Sequence, residues 1–211
     1  MTLESSLPYI SIAAALAAGV VVGRSRPSSA GPGLKALALA ALAMFAYFRG
    51  VAPAAIAQAL TLTAIASALL PRGPERFGTA GILFTTAGWL VFAYLFLRTG
   101  AGHAVLLKQP IRIAALIVLL AGLGWALTRP PRTVPRIRAG ALADLGAIGA
   151  AAAASLTLPW SAWPAMAGAL LALLGETALL LGAAPDNPSA RRAAWALCYC
   201  GQAAMAYAFL R

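Results

Sequence analysis

Apolar residues run through this chain in long continuous blocks. Seven blocks of roughly 20 residues cover 7–23, 34–49, 52–70, 78–97, 111–128, 139–157 and 164–182, and an eighth follows Arg192 to about residue 210. Coiled as an α-helix, a run of that length matches the hydrocarbon thickness of a bilayer. The pattern therefore predicts an all-α fold: a polytopic transmembrane helical bundle of about eight spans, with residues 1–211 forming one transmembrane domain. A membrane barrel would show short segments of alternating polarity instead.

Between the blocks lie short connections rich in Pro, Gly and Arg. Arg24–Gly33, Pro71–Arg76, Arg129–Arg138 and Ala183–Pro188 are four of them, and the connection from Arg98 to Pro110 holds His103 and Lys108. The turn at Pro159–Trp163 has no charge and carries two tryptophans, which suits an aromatic belt at the membrane interface. The first block is followed by Arg24 and Arg26 and has no basic residue before it, as in a retained first span.

Composition agrees with the pattern. The chain is 62% hydrophobic and 10% charged, which belongs to a membrane protein and not to a soluble domain. Its net charge of +11 is spread over loops, not clustered on a soluble face, so no nucleic-acid partner is expected. The odd-numbered connections and their flanks hold ten arginines, against five basic residues on the even side. The positive-inside rule then places the odd connections in the cytoplasm and both termini outside. Cys198 and Cys200 are two apart on one helix, point to different faces, and read as small packing residues. With a single histidine, His103, in a connection, no metal site and no cofactor are expected.

Against this apolar background a few polar residues stand out. Glu176 lies inside the seventh block, where a charge costs roughly 2.5–3.5 kcal/mol on insertion scales, so an acid there is a functional-site candidate. With the topology above, Glu176, Asp144, Ser67 and Lys35 all fall in the inner half of the membrane, with Tyr199 and Gln202 somewhat deeper. Their convergence predicts a buried or water-filled polar pocket open toward the cytoplasmic leaflet. Glu176 reads either as a general acid/base or as a structural acid bonded to Lys35, Tyr199 or Gln202. Asp144 reads either as a second site carboxylate or as a partner of Arg136 or Arg138. Lys35 neutralises a carboxylate or a lipid phosphate, or snorkels to the interface.

Trp195, Tyr199, Gln202 and Ala206 form one helical stripe, expected to face the bundle. Gly168, Ala172 and Gly175, and likewise Gly81, Thr85 and Gly88, form small-residue stripes of the kind that lets helix backbones approach closely. Thr61, Thr63, Thr85 and Thr86 are able to bond their own backbone.

The order of these motifs resembles the YhhN family of eight-span membrane proteins, which includes the lysoplasmalogenases. Leu34-Lys35-Ala36-Leu37 is similar to the family's Lys-Pro-Leu signature, Gly168 through Glu176 to its Gly-Ala…Phe…Ser-Asp element, and Tyr199-Cys-Gly-Gln202 to its Tyr…Ala-Gln ending. Two family residues are replaced. The third-span Gly-Asp falls on Ala66-Ser67, and the fourth-span Gly-His falls on Ala87-Gly88, beside Trp89.

The resemblance implies acid-assisted hydration of the vinyl ether of a lysoplasmalogen, giving an aldehyde and a glycerophospho-base. In that role Glu176 and Asp144 are the catalytic candidates, and Lys35, Ser67, Trp89, Tyr199 and Gln202 the substrate-binding ones. The implied partner is a lysophospholipid or another membrane lipid, and the implied location a bacterial inner membrane. The replaced Asp and His also fit a non-catalytic lipid-binding or accessory protein of the same fold. A small transporter is a third reading, and it would need a polar path to both faces.

Overall fold

The structure is a computed structural model that describes residues 3–22, 30–49, 54–69, 78–128, 135–180 and 187–209. Among these no strand occurs. The helices are α1 (Leu3–Val22), α2 (Ala30–Phe48), α3 (Ala54–Leu69), α4 (Gly78–Thr99), α5 (His103–Lys108), α6 (Pro110–Thr128), α7 (Pro135–Ser155), α8 (Trp163–Leu180) and α9 (Pro188–Ala208), with one 3₁₀ turn at Trp160–Ala162. Each apolar block falls on one long helix. The connections that carry Arg24, Arg26, Arg72, Arg76, Arg129 and Arg132 lie outside the described residues, as does the loop at Ala183–Asp186.

Several boundaries differ from the sequence pattern, and α1, α2 and α9 begin about one turn early, at Leu3, Ala30 and Pro188. The connection after α4 contains the short helix α5, entered through Gly102 at φ 73°, a left-handed conformation that glycine adopts at little cost. The sixth helix of the pattern begins at Pro135, not at residue 139, because proline is well tolerated in a helix's first turn and no second proline follows it up to Ser155.

Among the described residues four helical segments are long and apolar enough to cross a membrane: Ser5–Val22, Ala30–Phe48, Thr79–Thr99 and Trp160–Leu179. Ala54–Leu69, Pro110–Gly122 and Leu142–Ser155 are shorter apolar stretches. The outward faces are apolar as well. Leu16, Met44, Leu83, Leu90, Leu97, Val118 and Leu174 are all exposed. Lipid-facing side chains explain such a surface, as in a multi-pass integral membrane protein.

Seven helices close a ring through their contacts, in the order α1, α2, α3, α4, α7, α8, α9 and back to α1, while α6 packs outside on α7. Inside the ring an aromatic ladder runs along α4. Trp89, Phe92 and Phe96 follow at helical spacing with centroids 5.7 and 6.0 Å apart, and Phe209 stacks on Phe96 at 5.9 Å. Leu42, Leu60, Ile148 and Met205 pack around it.

Small residues set how closely the helices approach. A Cβ on Gly168 would lie 2.6 Å from the Gly201 carbonyl, and one on Gly175 would lie 2.6 Å from both the Ala194 carbonyl and Cys198 Sγ. The stripe on α8 is therefore backbone-to-backbone packing against α9. Gly88 does the same between α4 and α3.

Candidate functional site

Four helices bring ionisable groups toward one another in the half of the ring away from the Phe209 end of the ladder. Lys35 comes from the start of α2, where Gly31 is buried against Val21 of α1 and the helix enters the bundle early. Its Nζ lies 4.8 Å from the centroid of the Trp195 ring, a cation–π distance. Trp195 is held in turn, because its Nε1–H donates to the Ala15 carbonyl at 3.1 Å.

Glu176 is half-buried on α8 and close enough to Lys35 for each charge to act on the other. The Cys198 thiol on α9 lies beside it, in space that the missing side chain of Gly175 leaves open. Asp144, buried on α7, also feels the charge of Glu176. It accepts a long hydrogen bond of 3.4 Å from Thr86 Oγ1 of α4. Asp144 is thus placed between α4 and α8, and the side chains of Arg136 and Arg138 lie outside the described set. Two carboxyls, an amine and a thiol share one low-dielectric region, where mutual electrostatic effects are strong. The arrangement suits proton donation and acceptance near a bound, charged headgroup.

The other sequence candidates are distributed around this cluster. Tyr199 is half-buried and pairs with Ser11 of α1 at 2.6 Å. Ser11 Oγ donates its one proton to the Ala38 carbonyl at 2.8 Å, so the Tyr199 hydroxyl is the donor to Ser11. Gln202 is buried and accepts from Thr63 Oγ1 of α3 at 3.2 Å. Successive residues on α9 are 100° apart, which turns Cys198 to α8, Tyr199 to α1 and Gln202 to α3. The inward-facing stripe of α9 is real: Trp195, Gln202 and Ala206 are buried. Its polar members contact the Ala15 carbonyl, Ser11 and Thr63 in turn. Ser67 lies half-buried near the end of α3, and among the described residues no hydrogen bond links it to the cluster. Trp89 is fully buried in the ladder, and its Nε1–H has no partner among the described residues.

Comparisons with protein-family models, with characterised proteins and with solved structures find no match. The residues themselves carry whatever is inferred about function. Four members of the site escape a reading of the sequence alone. Cys198 reads as a packing residue, and its buried face does pack, but it also touches Glu176. Ser11 sits in the first apolar block with no motif around it. Thr63 and Thr86 bond across helices, and Thr63 bonds its own turn as well. The one signal available beforehand was spacing, since Thr63 lies one turn before Ser67. Among the described residues no group of three or more His, Cys, Asp or Glu is arranged to hold a metal ion.

Proposed function

We propose that this protein is an eight-span hydrolase of a bacterial inner membrane that opens the vinyl-ether bond of a lysoplasmalogen-type lysolipid, as the resemblance to the YhhN family implies. The observation that carries the reading is the meeting of Lys35, Glu176 and Asp144 from α2, α8 and α7 inside the ring. In this mechanism the Glu176 carboxylic acid protonates the alkene carbon distal to the ether oxygen, leaving an oxocarbenium at the other carbon. Asp144 takes a proton from water as that water adds to the oxocarbenium carbon. The resulting hemiacetal collapses to the aldehyde: Asp144 returns its proton to the ether oxygen, which leaves as the glycerol hydroxyl, and the hemiacetal O–H proton passes to Glu176, so one water is consumed in total and both carboxyls regain their starting states. Lys35 contacts the phosphate. Tyr199 and Gln202, oriented by Ser11 and Thr63, position water or headgroup. General acid–base catalysis of this kind contributes typically 10²–10⁴-fold.

The aromatic ladder supports a one-sided site over a transport path. Trp89, Phe92 and Phe96 fill the ring where a route to the second face would run.

One observation favours the second reading, a lipid-binding protein without chemistry. The family's fourth-span histidine corresponds to Gly88. A Cβ there would lie 2.9 Å from Thr63 Cγ2 and 3.1 Å from the Ala59 carbonyl. The packing of α3 on α4 leaves no space for that side chain, so the catalytic equipment is reduced to the two carboxyls.

Incubating the purified protein in nanodiscs with a lysoplasmalogen and measuring aldehyde release separates the two. Release well above a Glu176→Ala control is expected. Lipid recovered intact after long incubation, with release no greater than in that control, ends the hydrolase reading and leaves the binding one.

A further inference from the structure

A second polar centre lies at the opposite end of the α7–α8 pair, built on Arg112. This residue is in the first turn of α6 and is only 2% exposed. Its Nη1 donates to the Leu156 carbonyl at 2.7 Å and to the Leu158 carbonyl, where the chain leaves α7. That side of the guanidinium therefore fastens α6 to the α7–α8 turn. Nε and Nη2 are buried and have no acceptor among the described residues.

Those two nitrogens form the side of a guanidinium whose N–H bonds run parallel, the fork that fits two oxygens of a phosphate or carboxylate.

Among the described side chains no acid is placed to answer it. The chain's five acids are Glu4, Glu75, Asp144, Glu176 and Asp186. Asp144 precedes Leu156 by 12 residues (156 − 144), roughly 18 Å along the helix direction. Glu176 follows Trp160 by 16 residues (176 − 160), roughly 24 Å. Glu4 belongs to α1, which contacts α2 and α9. Glu75 and Asp186 lie outside the described residues, as does the side chain of Glu4.

The surroundings name the ligand class. The Trp160 ring lies 5.5 Å from the Arg112 guanidinium carbon, and Trp160 and Trp163 are 64% and 57% exposed at the start of an apolar segment long enough to span a membrane. Tryptophans at such a segment's end sit at the depth of lipid headgroups, where the abundant oxyanion is phosphate. We propose that Arg112 holds a phosphate group in its Nε/Nη2 fork, beneath the Trp160 ring. Trp160, on a single 3₁₀ turn, is the cover that yields as the phosphate enters. The site needs nothing from the Glu176 cluster.

Native mass spectrometry and thermal unfolding of the full-length protein test this, with phosphatidylglycerol and inorganic phosphate titrated separately against a chloride control. Arg112→Lys keeps the cation and a donor for the carbonyls of the α7–α8 turn but removes the fork. The expected result is stabilisation of the unsubstituted protein, with the apparent Kd weakened roughly 10-fold or more in Arg112→Lys. A response to phosphatidylglycerol alone assigns the phosphate to a lipid headgroup, and a response to both assigns it to any phosphate ion. Unchanged affinity in Arg112→Lys, or no response to either probe, overturns the proposal and leaves water in the fork. If Arg112→Lys does not fold, tryptophan fluorescence decides. The ligand-induced change is expected to disappear in Trp160→Phe, and its persistence there overturns the proposal as well.

Discussion

The two ends of the α7–α8 pair manage charge in opposite ways. Around Glu176, groups of both signs from four helices act on one another: Lys35, Asp144, Glu176 and the Cys198 thiol. Around Arg112 there is one guanidinium, answered among the described residues by two carbonyls and the Trp160 ring. A mixed cluster of weak acids and an amine is able to move protons among its members, so it is suited to chemistry. A lone guanidinium cannot, so it is suited to holding α7 in place and to meeting an anion. Burial alone therefore does not mark a reactive site. The company a buried charge keeps does.

The largest effect expected is on the reactive end. Glu176→Gln keeps the size of the side chain and removes the proton it donates, so aldehyde release from a lysoplasmalogen should fall roughly 10²–10⁴-fold. Phosphate-dependent stabilisation at Arg112 should not change. A variant that keeps the unsubstituted rate would show that the two ends do not differ in reactivity.

Next in size is a substitution that moves a whole helix. A Cβ on Gly201 would lie 2.5 Å from the Gly168 carbonyl and 2.6 Å from the Ala172 backbone nitrogen, and neither backbone atom is able to swing away. Gly201→Val should destabilise the protein by roughly 1–3 kcal/mol or more, read as a lower midpoint of thermal unfolding in detergent. Because α9 must shift from α8, the buried Cys198 thiol should become reactive toward a maleimide, while the Arg112 end, built on α6 and α7, keeps its phosphate response.

The fold was largely legible in the chain, because spacing alone encodes it. Helix length follows from runs of apolar residues, and close approach follows from glycines at helical spacing, as at Gly168 and Gly175. Half of the site was legible for a related reason. An acid or lysine in an apolar run is conspicuous, so Glu176, Asp144 and Lys35 identify themselves. Partner choice was not legible, because it depends on which helices become neighbours. Tyr199 and Gln202 share a stripe with Trp195, yet one turns to Ser11 and the other to Thr63. Arg112 was hidden for the opposite reason. In the sequence it is one more basic residue at the edge of an apolar block, and only the turn after α7 folding over it makes it buried.

The smallest effect concerns how the reactive end is held together. Ser11 bridges α1, α2 and α9: it donates to the Ala38 carbonyl and accepts from Tyr199. If polar contacts place α9 against α1, Ser11→Ala and Tyr199→Phe should be coupled. Cross-helix hydrogen bonds in membrane proteins average about 0.6 kcal/mol in such cycles and rarely exceed about 1.7 kcal/mol. Each single variant should therefore lower stability by about 0.5–1.5 kcal/mol, less than Gly201→Val. The double variant should then fall short of their sum by roughly 0.6 kcal/mol when unfolding is followed in the same detergent. Strict additivity would mean that close packing of α8 on α9 positions the reactive end without help from Ser11. Coupling would mean that both ends are anchored by hydrogen bonds to backbone carbonyls, Ala38 at one and Leu156 at the other, and differ only in what those anchors carry.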